Sequence, residues 1–153
     1  MDSHVDSSSI DVAKEVLMAE DILPFKTIID GNEPNDYFIL VSHLKYPALD
    51  EEYPASLSSK IMTDLLRNEL GYKGIIITDD MEMGAVANHN DFRSIGVKAV
   101  KAGADIVLVC HEYKHQQEVY LGLLDAVNSG EISHVGDQVV AEATFTAQIV
   151  KNK

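Results

Sequence analysis

Residues 74–80, Gly74-Ile75-Ile76-Ile77-Thr78-Asp79-Asp80, run three isoleucines directly into a threonine and two aspartates. Three β-branched residues without polar alternation predict a strand covered on both faces, which places the two carboxylates at its carboxyl end. The pattern recurs on either side. Tyr37-Phe38-Ile39-Leu40-Val41 is a second such run, bounded by Asn35-Asp36 and by a loop with Pro47 and Pro54, and it leads into Ser42-His43. Ile106-Val107-Leu108-Val109 is a third and leads into Cys110-His111-Glu112. Helical signals fill the gaps. Pro54 to Gly71 offers Ser56 or Ser58 as N-cap, Ile61, Leu65, Leu66 and Leu70 as an apolar stripe, and Gly71 as the stop. Further helices are expected from about Arg93 to Lys101, ended by Gly103, from about Lys114 to Asn128, ended by Gly130, and from about Asp137 to Val150. Ahead of the first strand, Val12, Val16, Leu17, Ile22, Phe25, Ile28 and Ile29 recur at helical spacing with Pro24 between them. That predicts two short helices meeting near Leu23, the second stopped by Gly31.

Apolar strands alternating with helices define an α/β chain of parallel βα units. A repeat of roughly 30 to 40 residues is the size of one such unit. Three units do not close a barrel, which takes eight strands and typically about 250 residues. On spacing alone a doubly wound open sheet is still allowed. The 153 residues show no linker or low-complexity tract, so a single domain is expected.

Lys+Arg of 12 against Asp+Glu of 25 leaves a net charge of −13, which argues against nucleic-acid and anionic-membrane surfaces, since both demand clustered cations. A neutral or cationic partner fits better. No apolar stretch reaches the roughly 18 residues of a membrane span, and the first twenty residues lack the basic start and apolar run of a signal peptide. The compartment is therefore left open, with the cytoplasm favoured. The lone Cys110 excludes an internal disulfide.

In parallel βα folds the functional groups collect at the carboxyl edge of the sheet. Asp79 is the best-placed candidate, with an alternative role as N-cap of the turn from Met81 to Ala87. His43 reads either as a substrate contact or as a strand-end histidine bonded to a loop carbonyl. Cys110 and His111 are adjacent and lack the spacing of a zinc site, and no metal or cofactor is expected. Met81 and Met83 read as packing residues. Dinucleotide-binding, P-loop and serine-hydrolase motifs are absent. The Asp79-Asp80 pair allows a phosphoacceptor, as in receiver domains, but the acidic cluster of those domains follows the first strand, where this chain has Ser42-His43.

Five segments in order, Leu23-Pro-Phe-Lys26, Val41-Ser-His-Leu-Lys-Tyr-Pro-Ala-Leu-Asp50, Pro54-Ala-Ser-Leu-Ser58, Leu66-Arg-Asn-Glu-Leu-Gly-Tyr-Lys-Gly74 and Ile77-Thr-Asp-Asp-Met-Glu-Met-Gly-Ala85, resemble the second half of the catalytic barrel of glycoside hydrolase family 3. The subgroup resembled is the bacterial β-N-acetylhexosaminidases, chiefly β-N-acetylglucosaminidases. The resemblance covers about residues 2 to 130. It fades over the last twenty, where the family's arginine-rich closing helix is replaced by Val139-Val-Ala-Glu-Ala-Thr-Phe-Thr-Ala147.

The resemblance implies a partial, or half, (β/α)8 barrel of the TIM type. It implies retaining hydrolysis of a terminal β-linked N-acetylhexosamine, with Asp79 rather than Asp80 as the nucleophile that forms a glycosyl ester. It further implies that Asp2-Ser3-His4 matches the subgroup's acid/base loop, His4 lending the proton and Asp2 orienting its imidazole. A histidine with an unperturbed pKa of about 6.5 is suited to that exchange near neutrality.

The family's barrel has a first half that supplies an acidic residue, an arginine and a lysine-histidine segment to the sugar, and these have no counterpart here. The expectation is a half-barrel with two unpaired sheet edges, which pairs with a second copy or with a complementary half. A carbohydrate is the expected substrate. A non-catalytic remnant, or one subunit of a split glycosidase, is the alternative.

Overall fold

The computed structural model describes residues 8–132. Three strands form a parallel sheet, β1 (Phe38–Val41), β2 (Ile75–Asp80) and β3 (Ile106–Leu108), in spatial order β1-β2-β3. Phe38 pairs with Ile75 and Val41 with Thr78, and Ile77 pairs with Ile106 before the register shifts so that Asp80 pairs with Leu108. Each strand lies beside its neighbour in sequence, as in the wall of a parallel barrel.

The helices follow. Short α1 (Lys14–Val16) widens into a π turn through Asp21, and α2 runs from Leu23 to Gly31. The two helical stretches meet next to Leu23 as expected, and Pro24 opens α2, where its missing N–H costs nothing. A 3₁₀ turn (Ala55–Leu57) precedes a π helix (Lys60–Glu69), and Ser58 Oγ accepts the Ile61 N–H at 3.2 Å, so Ser58 does the capping expected of it or Ser56. Then come α3 (Gly84–Ala87), α4 (Phe92–Ala102) and α5 (Tyr113–Asn128). Asp91 caps α4 through the Ser94 N–H, and Gly103 ends it with a φ of 121° that L side chains rarely adopt. The helix expected from Asp137 to Val150 lies outside the described residues.

The strands depart from the sequence reading in one respect: they are not covered on both faces. Ile76 and Thr78 are fully buried and Val41 nearly so, with Ile76 packed among Met62, Leu65, Leu66, Ile95 and Ala99 of the helical layer. On the opposite face Phe38 is 62% exposed, Leu40 50% and Ile75 49%. The helices thus cover one side of the sheet. An all-apolar strand records only that both faces are dry in the finished fold, and the second layer is not supplied by residues 8–132.

At the amino end of the sheet the contacts are structural. Arg67 of the π helix bonds to the carbonyl of Gly74 and to Asp105, and Asp105 accepts the Ile76 N–H at 2.7 Å. Gly122 of α5 lies so near the backbone of α4 that an added Cβ would stand 1.8 Å from the Arg93 carbonyl oxygen. The helical layer is fixed by this close approach, and the carboxyl ends of the strands are left to carry other groups.

Candidate active site

Parallel strands bring Ser42-His43, Asp79-Asp80 and Cys110-His111 to one edge. Asp79 is half-buried there, and its Oδ1 accepts the N–H of Asp80 at 2.8 Å. Asp80 is buried and engaged on every side. Its Oδ1 accepts the N–H groups of Glu82, at 3.2 Å, and Cys110, at 3.1 Å, and its Oδ2 lies 3.0 Å from His111 Nε2. The turn-capping role open to Asp79 therefore falls to Asp80, whose carboxylate gathers the following turn.

His43 is 1% exposed. Its Nε2 lies 2.8 Å from the Asp80 carbonyl oxygen and its Nδ1 2.6 Å from Ser56 Oγ. A carbonyl only accepts, so Nε2 carries the proton and Nδ1 of the neutral ring accepts from the Ser56 hydroxyl. Burial pulls the His43 pKa below the ordinary value, against the opposing effects of the Asp80 carbonyl and the charges of Asp79 and Asp80. Both ring nitrogens are thus taken inside the protein. His43 is a strut between β1, the 54–58 loop and the residue next to Asp79.

That loop is held in turn by Asp50, which the sequence reading did not single out. Asp50 Oδ2 accepts the Ser58 hydroxyl at 2.6 Å and Oδ1 the Glu52 N–H at 3.0 Å. Burial works against the Asp50 carboxylate, but Ser58, Glu52, Tyr53 and Lys60 together hold its pKa below the usual range. The Ser56 N–H donates to the Ser42 carbonyl at 3.1 Å and the Ala55 N–H to the Leu44 carbonyl at 2.9 Å, so Ser56 faces His43 at a fixed height.

A second anchor comes from the beginning of the described chain. Ser9 bridges in parallel to Lys45, with the Lys45 N–H donated to the Ser8 carbonyl at 2.9 Å and the Ile10 N–H to the Lys45 carbonyl at 2.8 Å. Residues 8–10 thus lie against the segment that leaves β1 at the carboxyl edge. Asp2 and His4 lie outside the described residues. Cys110, His111 and Glu112 are exposed at the end of β3, and among the described residues no group of three histidine, cysteine or acidic side chains could hold a metal ion. No described helix is long and apolar enough to cross a membrane.

The sequence profile of the glycosyl hydrolase family 3 N terminal domain matches residues 1–144. The chain belongs to glycosyl hydrolase family 3. Among curated relatives, a beta-hexosaminidase of Nitrosomonas eutropha is 33% identical over 143 residues, covering 91% of this chain and 40% of that protein. A beta-hexosaminidase of Xanthomonas campestris pv. campestris is 34% identical over 110 residues, covering 72% of this chain and 32% of that protein. Among solved structures, a family 3 beta-N-acetylglucosaminidase from a Paenibacillus species superposes with a TM-score of 0.81 at 33% identity, covering 98% of this chain and 27% of that one. The family 3 chain accordingly spans less than half the length of these relatives, and its three-stranded parallel sheet corresponds to part of the barrel-like domain of the family.

Proposed function

We propose that this family 3 chain carries the nucleophile of a retaining β-N-acetylhexosaminidase, and that Asp79 is that nucleophile. The observation that supports the reading is the division of labour between the two neighbouring carboxylates. Both Asp80 oxygens are committed to the loops around them, whereas Asp79 stands at the strand end with its Oδ1 steadied by one backbone N–H. A carboxylate so placed attacks the anomeric carbon, the glycosidic C–O bond breaks, and the leaving oxygen takes a proton. Water, giving its proton to the group that protonated the leaving oxygen, then attacks the anomeric carbon from the face opposite the ester, the ester C–O bond breaks and the carboxylate is freed, with net retention.

His4 supplies and recovers the proton in this reading, and Asp2 orients it. The pairing of Ser8–Ile10 with Lys45 supports the assignment, because it moors the chain at the active edge four residues beyond His4. Four residues reach at most roughly 13–14 Å, at 3.3–3.6 Å each. His43 is a positioning residue that holds the backbone carbonyl of Asp80, the residue next to Asp79. The substrate is a terminal β-linked N-acetylhexosamine, the class named for the relatives.

The bare face of Phe38, Leu40 and Ile75 supports a second element: the catalytic unit is completed by further strands that cover this face. The test combines this chain with the strands that complete its barrel, by fusion or co-expression, and follows release of nitrophenol from 4-nitrophenyl N-acetyl-β-glucosaminide. Turnover that Asp79→Asn abolishes and that returns product of retained anomeric configuration supports the reading. Turnover undiminished by Asp79→Asn overturns it.

A further inference from the structure

Three consecutive backbone N–H groups, those of Cys110, His111 and Glu112, are donated into two carboxylates of the turn that follows Asp79. Cys110 donates to Asp80 Oδ1 at 3.1 Å, His111 to Glu82 Oε2, and Glu112 to Glu82 Oε1 at 2.8 Å. The His115 ring adds a fourth bond, Nδ1 to Glu82 Oε1 at 2.8 Å, and is itself stacked on Phe92 with centroids 3.8 Å apart and planes 12° from parallel. Gln116 ties the first turn of α5 back to the Val109 carbonyl at 3.0 Å.

The Glu82 side chain is only 7% exposed, so its charge has little water to rely on and depends on these donors. It also stands at the amino end of α5, where the peptide dipoles favour an anion. Burial opposes its ionisation, yet the His111 N–H, the His115 imidazole and the Glu112 N–H together hold its carboxyl below the usual glutamate range. The side chains of Cys110, His111 and Glu112 are meanwhile exposed, that of His111 to 71% even though its Nε2 reaches Asp80 Oδ2 at 3.0 Å. Nothing in the spacing of the sequence links Glu82 to a loop about thirty residues later.

We propose that Glu82 is a positioning residue of the mouth of the site: its carboxylate clamps the 110–112 loop to the nucleophile's turn, so that the exposed side chains of that loop form a fixed wall beside Asp79. That the wall borders a sugar rests on the hydrolase reading, whereas the clamp does not. Of the titratable residues around Glu82, His115 of α5 meets the carboxylate with its ring, His111 and Glu112 of the loop meet it through their backbone N–H groups, and Asp80 of its own turn accepts the Glu82 N–H.

The test uses the full chain, nitrogen-15 labelled, as wild type, Glu82→Gln and Glu82→Asp. Amide exchange at Cys110, His111 and Glu112 should quicken about tenfold in Glu82→Gln, the loss of one charge-assisted hydrogen bond, while Ile76 and Ile95 exchange as before. Glu82→Asp should restore part of the protection. The wild type should lose the same protection as pH falls below the ordinary glutamate range, and Glu82→Gln should show no such step.

Unchanged exchange in Glu82→Gln overturns the clamp. If that variant fails to fold, the wild-type pH profile decides, and protection that persists until the whole chain unfolds overturns it. In the completed barrel, Glu82→Gln should raise KM for the nitrophenyl glycoside about tenfold with little change in kcat. An unchanged KM with a loosened loop overturns the wall and leaves the hydrolase reading standing. A loosened loop in a barrel that hydrolyses nothing defeats the hydrolase reading and supports the clamp.

Discussion

The imidazole of His43 donates its Nε2–H to the backbone carbonyl of Asp80 at 2.8 Å, across 37 residues of chain. This bond ties the end of β1 to Asp80, the residue after the proposed nucleophile, and Ser56 Oγ closes the other side of the ring at 2.6 Å. Removing the ring as His43→Ala strands a buried hydroxyl and a buried carbonyl as well as opening a cavity, at a cost of about 2–4 kcal/mol. Denaturant unfolding of the two proteins measures it, and a loss near zero would contradict the strut.

The same residue sets a pH dependence. Burial holds the folded His43 below its ordinary value of 6.5, so the unfolded chain binds the proton more readily. Stability from the neutral ring is therefore complete above about 6.5 and declines as pH falls from there through the lowered folded value. Unfolding free energy measured between pH 7 and 5 should show that slope in the wild type and lose His43's share of it in His43→Gln.

The open face makes a prediction about assembly. Phe38, Leu40 and Ile75 together present an apolar surface, and the outer edges of β1 and β3 are unpaired within the sheet of described residues. The 153-residue chain alone should associate at micromolar concentration, and Phe38→Lys with Leu40→Lys should shift it toward monomer. Light scattering reports both. A cooperatively folded wild-type monomer with native-like near-ultraviolet dichroism would show that the chain covers this face itself.

The acid role proposed for His4 predicts a difference between two kinds of substrate. In the completed barrel, His4→Ala should slow glycosides with poor leaving groups by about 10²–10⁴-fold and activated aryl glycosides far less, because only the former need a proton donor. Comparing kcat/KM for the two classes checks this, and equal losses would remove His4 from the role.

Much of this was legible from local sequence. Ile75-Ile-Ile77 and Ile106-Val-Leu108 announce strands because β-branched runs bounded by polar turns have few other uses. Asp79 stood out because a parallel strand delivers the residues at its carboxyl end to the functional edge. What the sequence concealed is long-range. The uncovered face of β1 looks the same in one dimension as a covered one. The choice between Asp79 and Asp80 as turn cap depends on Cys110 and His111 arriving from β3. Glu82 and Asp50 are acidic residues in acidic stretches, and only the folded loops reveal the backbone donors they serve.

The central claim is that Asp79 forms the covalent intermediate. Its most direct test is reaction of the completed barrel with a slow 5-fluoro-N-acetylglucosaminyl donor, followed by digestion and mass spectrometry of the peptide containing Ile77-Thr78-Asp79-Asp80-Met81. The account predicts a single glycosyl adduct, located on Asp79 and absent from Asp79→Asn. An adduct on Asp80, or turnover with inversion and no adduct, would contradict it.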